Sequence, residues 1–284
     1  MRKIPTLALS TAMIVAACSA GSPSGAAPTD GAGLDASGAQ PAAPLASAPF
    51  TVREIASFNE PWAMTFLPGG RQALVTERAG KLKLWREDSP TLDVAGVPAV
   101  AYGGQGGFGD VILAPDFATS GTIYLSWVEA GSGDTFGAVV GKARFVNGAS
   151  PRIEGLQTIW KQDPKVPGRG HFSHRLAFSP DGQYLFIGSG ERQKFDPAQD
   201  MKANLGKVLR LKPDGSIPAD NPFASQGGVT AQIWSLGHRN ILGLAFDGGG
   251  RLWQQEMGPK GGDEVNLVAP KANYGSVSPR STWA

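Results

Sequence analysis

The sequence predicts an all-β chain folded as a β-propeller, and three observations carry that prediction. One strand–turn–strand pattern recurs four times along the chain. Its copies are spaced by about 47 to 68 residues, near the length of a four-stranded blade with long loops. Glycine, at 39 of 284 residues, and proline, at 22, are both raised, which leaves little room for long helices.

The first copy runs from Met64 through Pro68 to Ala73–Thr76, and the second from Val111 through Asp116 to Thr122–Ser126. The third runs from Leu176 through Gly182 to Tyr184–Gly188, and the fourth from Leu244 through Asp247 to Arg251–Trp253. Each is an apolar strand, a turn of Pro, Asp or Gly, and a second apolar strand. Further strands are predicted at Lys81–Trp85, Ala138–Phe145 and Lys207–Leu211, where alternation such as Leu82/Leu84 suits a sheet with one solvated face. A β-sandwich of similar hairpins is the alternative, and repetition of one hairpin favours the radial arrangement. A propeller of this pattern needs six blades. The chain supplies four and part of a fifth, so the last one to two blades are expected to be missing.

Three segments differ in composition. Residues 1–18 have a basic start, Arg2 and Lys3, an apolar run and a small-residue exit, Val15-Ala16-Ala17-Cys18. That is the layout of a signal peptide, with an apolar run too short to span a bilayer. Its ending resembles the bacterial lipoprotein box, which implies cleavage before Cys18 and lipidation of its thiol; Ser19 fits outer-membrane sorting. Residues 19–48 are almost entirely Ala, Gly, Ser, Pro and Asp and predict a disordered tether. Residues 49–284 form the incomplete propeller and hold no cysteine, which excludes a disulfide framework and a thiolate metal site. A net charge of +2 without a long basic run argues against nucleic-acid binding.

Candidate chemistry lies in glycine-framed polar clusters beside these strands. Gln105 sits in Gly103-Gly104-Gln105-Gly106-Gly107, and His171 in Gly168-Arg169-Gly170-His171. A neutral imidazole is the usual proton acceptor for an alcohol, so His171 is the candidate base, with His174 and His238 as further candidates by composition. Arg239 and Asn240 offer planar donors for a carboxylate or a developing oxyanion. In Gly258-Pro259-Lys260-Gly261-Gly262-Asp263-Glu264, turn carbonyls of Gly258 and Pro259 with the carboxylates of Asp263 and Glu264 are hard oxygen ligands of the calcium type. A charged loop in which Asp263 caps a turn is the structural alternative.

Taken in order, these motifs resemble the soluble quinoprotein glucose/sorbosone dehydrogenases, and most their aldose sugar dehydrogenase branch. The resemblance is carried by Pro61-Trp62-Ala63-Met64, Gly104–Gly107, Pro115-Asp116-Phe117, His171-Phe172, Leu205–Leu211, Asp220-Asn221-Pro222-Phe223, Gly237–Asn240, Gly258-Pro259 with Asp263-Glu264, and Asn273-Tyr274-Gly275. It implies a six-bladed propeller holding pyrroloquinoline quinone (PQQ) and calcium. It also implies oxidation of the anomeric hydroxyl of aldose sugars to lactones, with His171 as base and hydride passing to the quinone. Gln105, Arg239 and Asn240 would contact cofactor or substrate, and the Gly258 and Pro259 carbonyls would ligate calcium. An electron acceptor on the periplasmic side of the bacterial envelope follows from the same resemblance. The family pattern usually has a small residue where this chain has His174. Two other expectations compete: a calcium-dependent propeller lactonase, and an inactive truncated fragment.

Overall fold

The structure, a computed structural model, describes residues 51–276. Its strands fall into four successive antiparallel sheets, each a meander. The first comprises β1 (Pro61–Phe66), β2 (Gln72–Glu77), β3 (Lys81–Arg86) and β4 (Ser89–Val94). In the second, β5 (Phe108–Leu113), β6 (Thr122–Ala130), β7 (Thr135–Val146) and β8 (Arg152–Lys161) are joined by a short β9 (Val166–Pro167) on β7. The third contains β10 (Ser173–Phe178), β11 (Leu185–Ser189), β12 (Lys207–Leu211) and β13 (Ile233–Leu236). The fourth is three-stranded: β14 (Ile241–Phe246), β15 (Leu252–Glu256) and β16 (Glu264–Leu267).

The four repeated hairpins are β1–β2, β5–β6, β10–β11 and β14–β15, so the internal repeat is the first half of each blade. First strands of consecutive blades touch one another, β1 with β5, β5 with β10, and β10 with β14. That is radial packing around an axis, and it replaces the sandwich alternative with a propeller-like arrangement of four blades.

Apolar side chains explain the stacking. Leu74 and Leu84 of blade one meet Val111, Leu125 and Val139 of blade two in one buried cluster. Tyr124, Val140 and Trp160 of blade two meet Leu176, Ile187 and Leu209 of blade three in another. Phe186 and Val208 of blade three pack on Ile241 and Leu252 of blade four. Middle strands such as β2 and β11 are covered on both faces, which is why they read as continuous apolar runs rather than alternating ones.

Strands β4, β8, β13 and β16 were not predicted, because polar residues interrupt them: Ser89-Pro90-Thr91 in β4, Glu154 and Gln157 in β8. They are the outer strands, where solvent reaches one face. The only α-helix among the described residues is Phe117–Ser120, and no described helix is long and apolar enough to cross a membrane. The predicted signal peptide, Cys18 and the tether lie outside the described residues.

In a meander, the start of a blade's first strand and the turn between its second and third strands lie at the same end. Residues 103–107, 168–172 and 237–240 precede β5, β10 and β14; residues 190–206 and 257–263 link second strands to third. These five connections therefore gather at one mouth.

Candidate active site

Glycine shapes the first of these connections. Gly104 has φ +57, and a Cβ there would lie 2.5 Å from the Arg169 carbonyl oxygen, so only glycine lets the two loops meet. The Gln105 N–H donates to that same carbonyl at 2.8 Å. In return, the His171 N–H donates to Gln105 Oε1 at 2.7 Å. Arg78 steadies the loop from blade one, donating from Nη2 to the Gly104 carbonyl at 2.7 Å. Gln105 and His171, predicted from separate motifs, are thus bonded neighbours.

His171 is buried, with φ +46, and its Nδ1 is paired with Glu191 Oε1. Glu191 is itself fully buried in the β11–β12 connection. Its second oxygen, Oε2, accepts the N–H groups of Lys194 and of Phe195, the latter at 2.7 Å. Burial pushes this carboxyl up, but the His171 bond and the two amides outweigh it and hold it below the ordinary carboxylate range. An ionised carboxylate only accepts, so Nδ1 carries a proton, and in the neutral form of the ring the lone pair lies on Nε2. Among the described residues Nε2 has no hydrogen-bond partner, which is the state a general base requires.

The other two histidines have different surroundings. His174 is buried, stacked on Trp62 with ring centroids 5.8 Å apart, and bonded through Nδ1 to Ser126 Oγ at 2.8 Å. Burial, then the charges of Arg175 and Arg192, push its pKa down to about 3, so it is a neutral packing group. His238 is fully buried against Ser235 and Tyr274, with Nδ1 3.5 Å from Glu256.

Arg239 joins the two sides of the mouth through its backbone. Its carbonyl accepts the Glu191 N–H at 2.9 Å, and its own N–H donates to Glu256 Oε2. The guanidinium donates from Nη1 to the Met257 carbonyl at 2.7 Å, while its buried Nε has no acceptor among the described residues. Asn240 is buried beside it, its Oδ1 accepting from Ser173 Oγ at 3.2 Å. Met257 leads directly into Gly258 and Pro259, which places that turn next to Arg239.

Asp263 and Glu264 are arranged as parts of the loop and strand. Asp263 Oδ1 accepts the Gly258 N–H at 2.9 Å, closing the turn, and Glu264 opens β16 and accepts from Asn266 Nδ2 at 2.8 Å. Among the described residues no three His, Cys, Asp or Glu side chains converge on a common metal position. What the turn offers a hard cation is its backbone carbonyls, at Gly258 and Pro259, with the remaining oxygen of Asp263 nearby in sequence.

Glu191, Ser173, Arg192 and Glu256 were missed by the sequence reading. Glu191 carried a usable signal, since Gly188-Ser189-Gly190-Glu191 ends an apolar strand with the same glycine framing as the other clusters.

A buried imidazole–carboxylate pair, an amide and a guanidinium are gathered at one mouth of a propeller-like fold, the kind of polar constellation from which acid–base sites are built. The profile of the glucose/sorbosone dehydrogenases matches residues 58–279. The chain belongs to that family. It is 42% identical over 227 residues to the aldose sugar dehydrogenase YliI of Escherichia coli, covering 79% of this chain and 60% of that protein. It is 34% identical over 250 residues to quinoprotein glucose dehydrogenase B of Acinetobacter calcoaceticus, covering 78% and 51%. The apo soluble aldose sugar dehydrogenase of E. coli superposes with a TM-score of 0.73 at 43% identity, over 76% of this chain and 62% of that one. The PQQ-bound aldose sugar dehydrogenase of Streptomyces coelicolor gives 0.68 at 30% identity, over 77% and 63%. The chain thus spans 60% or less of the length of these two curated relatives.

Proposed function

We propose that this chain carries the base-bearing part of a PQQ- and calcium-dependent aldose dehydrogenase that oxidises the anomeric hydroxyl of a sugar to a lactone. The observation that carries the reading is the His171–Glu191 pair, bonded through His171 to Gln105 and through Glu191 to Arg239. His171 Nε2 takes the proton from the sugar hydroxyl, and Glu191 holds the ring in the correct tautomer and stabilises the imidazolium that results. Gln105, whose Oε1 is committed to the His171 N–H, presents its amide N–H groups to cofactor or substrate. Arg239 and Asn240 hold the anionic and carbonyl groups of a polyoxygenated ligand.

The buried, acceptor-free Nε of Arg239 supports a bound carboxylate or quinone oxygen beside it, which fits PQQ. The hard-oxygen character of the Gly258–Pro259 turn fits calcium. When bound, PQQ supplies the hydride acceptor and calcium polarises it. Coverage of 62% of the E. coli structure by four blades supports a six-bladed complete ring. The reading also places the protein in the bacterial envelope, held through a lipidated Cys18 and a tether over residues 19–48, where it reduces a periplasmic electron acceptor.

Adding PQQ and calcium to the purified protein with glucose and a dye acceptor should give dye reduction that is lost in His171→Gln. Sugar-dependent reduction that survives this substitution, or none from a version carrying all six blades, overturns the proposal. Lactone hydrolysis without PQQ would assign the site to hydrolysis instead.

A further inference from the structure

Arg192 is a buried cation to which no carboxylate bonds among the described residues. It is 1% exposed, and its guanidinium donates only to carbonyl oxygens: Nε to Gly170 at 2.9 Å, Nη1 to Phe136 and Nη2 to Gly168. The guanidinium carbon lies 3.7 Å from the centre of the Phe172 ring, and the Arg192 backbone N–H donates to the His171 carbonyl at 3.3 Å. Burying an arginine without a bonded anion is costly, so the position demands something only a flat, many-donor cation provides.

What it grips is the segment that carries the base. Gly168, Gly170, His171 and Phe172 are all held from one residue, and Nη1 ties them to the start of β7. Both partners in this contact are strained. His171, Ser173 and His174 have φ of +46, +57 and +56, and Arg192, Gln193 and Phe195 have +65, +57 and +61. Non-glycine residues are disfavoured in that region, and they persist only where surrounding contacts over-determine them. Arg192 supplies such contacts to both segments at once.

We propose that Arg192 is a positioning residue for His171: its guanidinium fork and backbone N–H clamp residues 168–172 so that the imidazole meets Glu191 through Nδ1 and leaves Nε2 for the substrate hydroxyl. The inference rests on His171 being the base. An ammonium cannot reproduce it, because three carbonyls on three sides require the planar fork.

The test uses the full chain as Arg192→Lys, Arg192→Gln and Arg192→Ala, with PQQ and calcium added for kinetics. The expected result is a fall in kcat of roughly 10- to 100-fold, with KM changed by less than about threefold, as for a misplaced base. Lysine should behave like glutamine, and methylguanidinium, not methylammonium, should restore part of the Arg192→Ala rate. Nitrogen-15 spectra of the three histidines give a readout that needs no cofactor. The His171 signals should lose the single Nδ1–H tautomer in every variant that remains folded by circular dichroism. Wild-type kcat and an unchanged His171 spectrum in Arg192→Lys would overturn the proposal, as would a lowered melting temperature with neither kcat nor spectrum altered. If a version carrying all six blades oxidises no sugar but the spectrum changes as expected, the clamp stands and the dehydrogenase reading fails.

Discussion

Replacing Glu191 by glutamine changes one atom and should disable the base. The carboxylate faces three donors: Nδ1–H of His171 on one oxygen, the Lys194 and Phe195 amides on the other. Glutamine has a single acceptor oxygen. If that oxygen stays on the two backbone amides, its NH2 faces Nδ1, which must then accept, and the ring proton moves to Nε2. The lone pair needed for the sugar hydroxyl is gone. The charge-assisted bond alone is worth about 1.5–3 kcal/mol, which corresponds to roughly a 10- to 150-fold loss of kcat. Tautomer inversion moves the expectation to the upper end of that range. The assay is PQQ-reconstituted dye reduction with glucose, paired with the nitrogen-15 tautomer signature of His171. A Glu191→Gln protein with wild-type kcat, or one that keeps the Nδ1–H tautomer, refutes the reasoning. The same residue makes a pH prediction. Its folded pKa is depressed, so its stabilisation is present above the ordinary carboxylate pKa and is lost as pH falls through the folded value. Acid unfolding followed by fluorescence should therefore lose part of its pH dependence below the ordinary carboxylate range in Glu191→Gln.

His174 predicts a second acid sensitivity of different origin. Its pKa falls from 6.5 to about 3 on folding, so the unfolded chain binds the extra proton between those values. Urea stability should decline as pH falls below 6.5, with a slope approaching about 1.4 kcal/mol per pH unit, and His174→Asn should flatten it. Gly104→Ala places a methyl group against the Arg169 carbonyl and should lower stability by about 1–3 kcal/mol, read as a drop in melting temperature together with a raised KM for sugar. Chelation with EGTA should abolish dye reduction, and added calcium should restore it; full activity in calcium-free buffer would remove the metal from the proposal.

Much of this was legible in residues 52–275, and the physical reasons for the rest are specific. The inner hairpins were found because both faces of their second strands are buried, which leaves runs such as Ala73-Leu74-Val75 and Leu185-Phe186-Ile187. Outer strands escaped because solvent on one face removes the apolar signal. Gln105, His171, Arg239 and Asn240 were singled out because glycine framing marks loops that approach one another closely, and the structure brings those loops to one mouth. Glu191 was overlooked as a charged residue in a loop, since its value comes from a partner twenty residues earlier in the chain. Asp263 illustrates the opposite case, a carboxylate whose type and spacing suggested a ligand and whose described contact is a turn cap.

The apolar seams between blades bear on more than stability. Gln105 is carried by blade two, His171 and Glu191 by blade three, and Arg239 by blade four, so the groups of the proposed site sit on separate wedges. Alignment of base against donors is set by how those wedges are pitched, much as the gap in a vice is set by its jaws. Trimming a seam residue such as Ile187 or Val140, buried between blades two and three, would tilt one wedge against the next. Evolution could therefore retune this site from its back wall, exchanging one buried aliphatic side chain for another while every polar residue at the mouth stays the same.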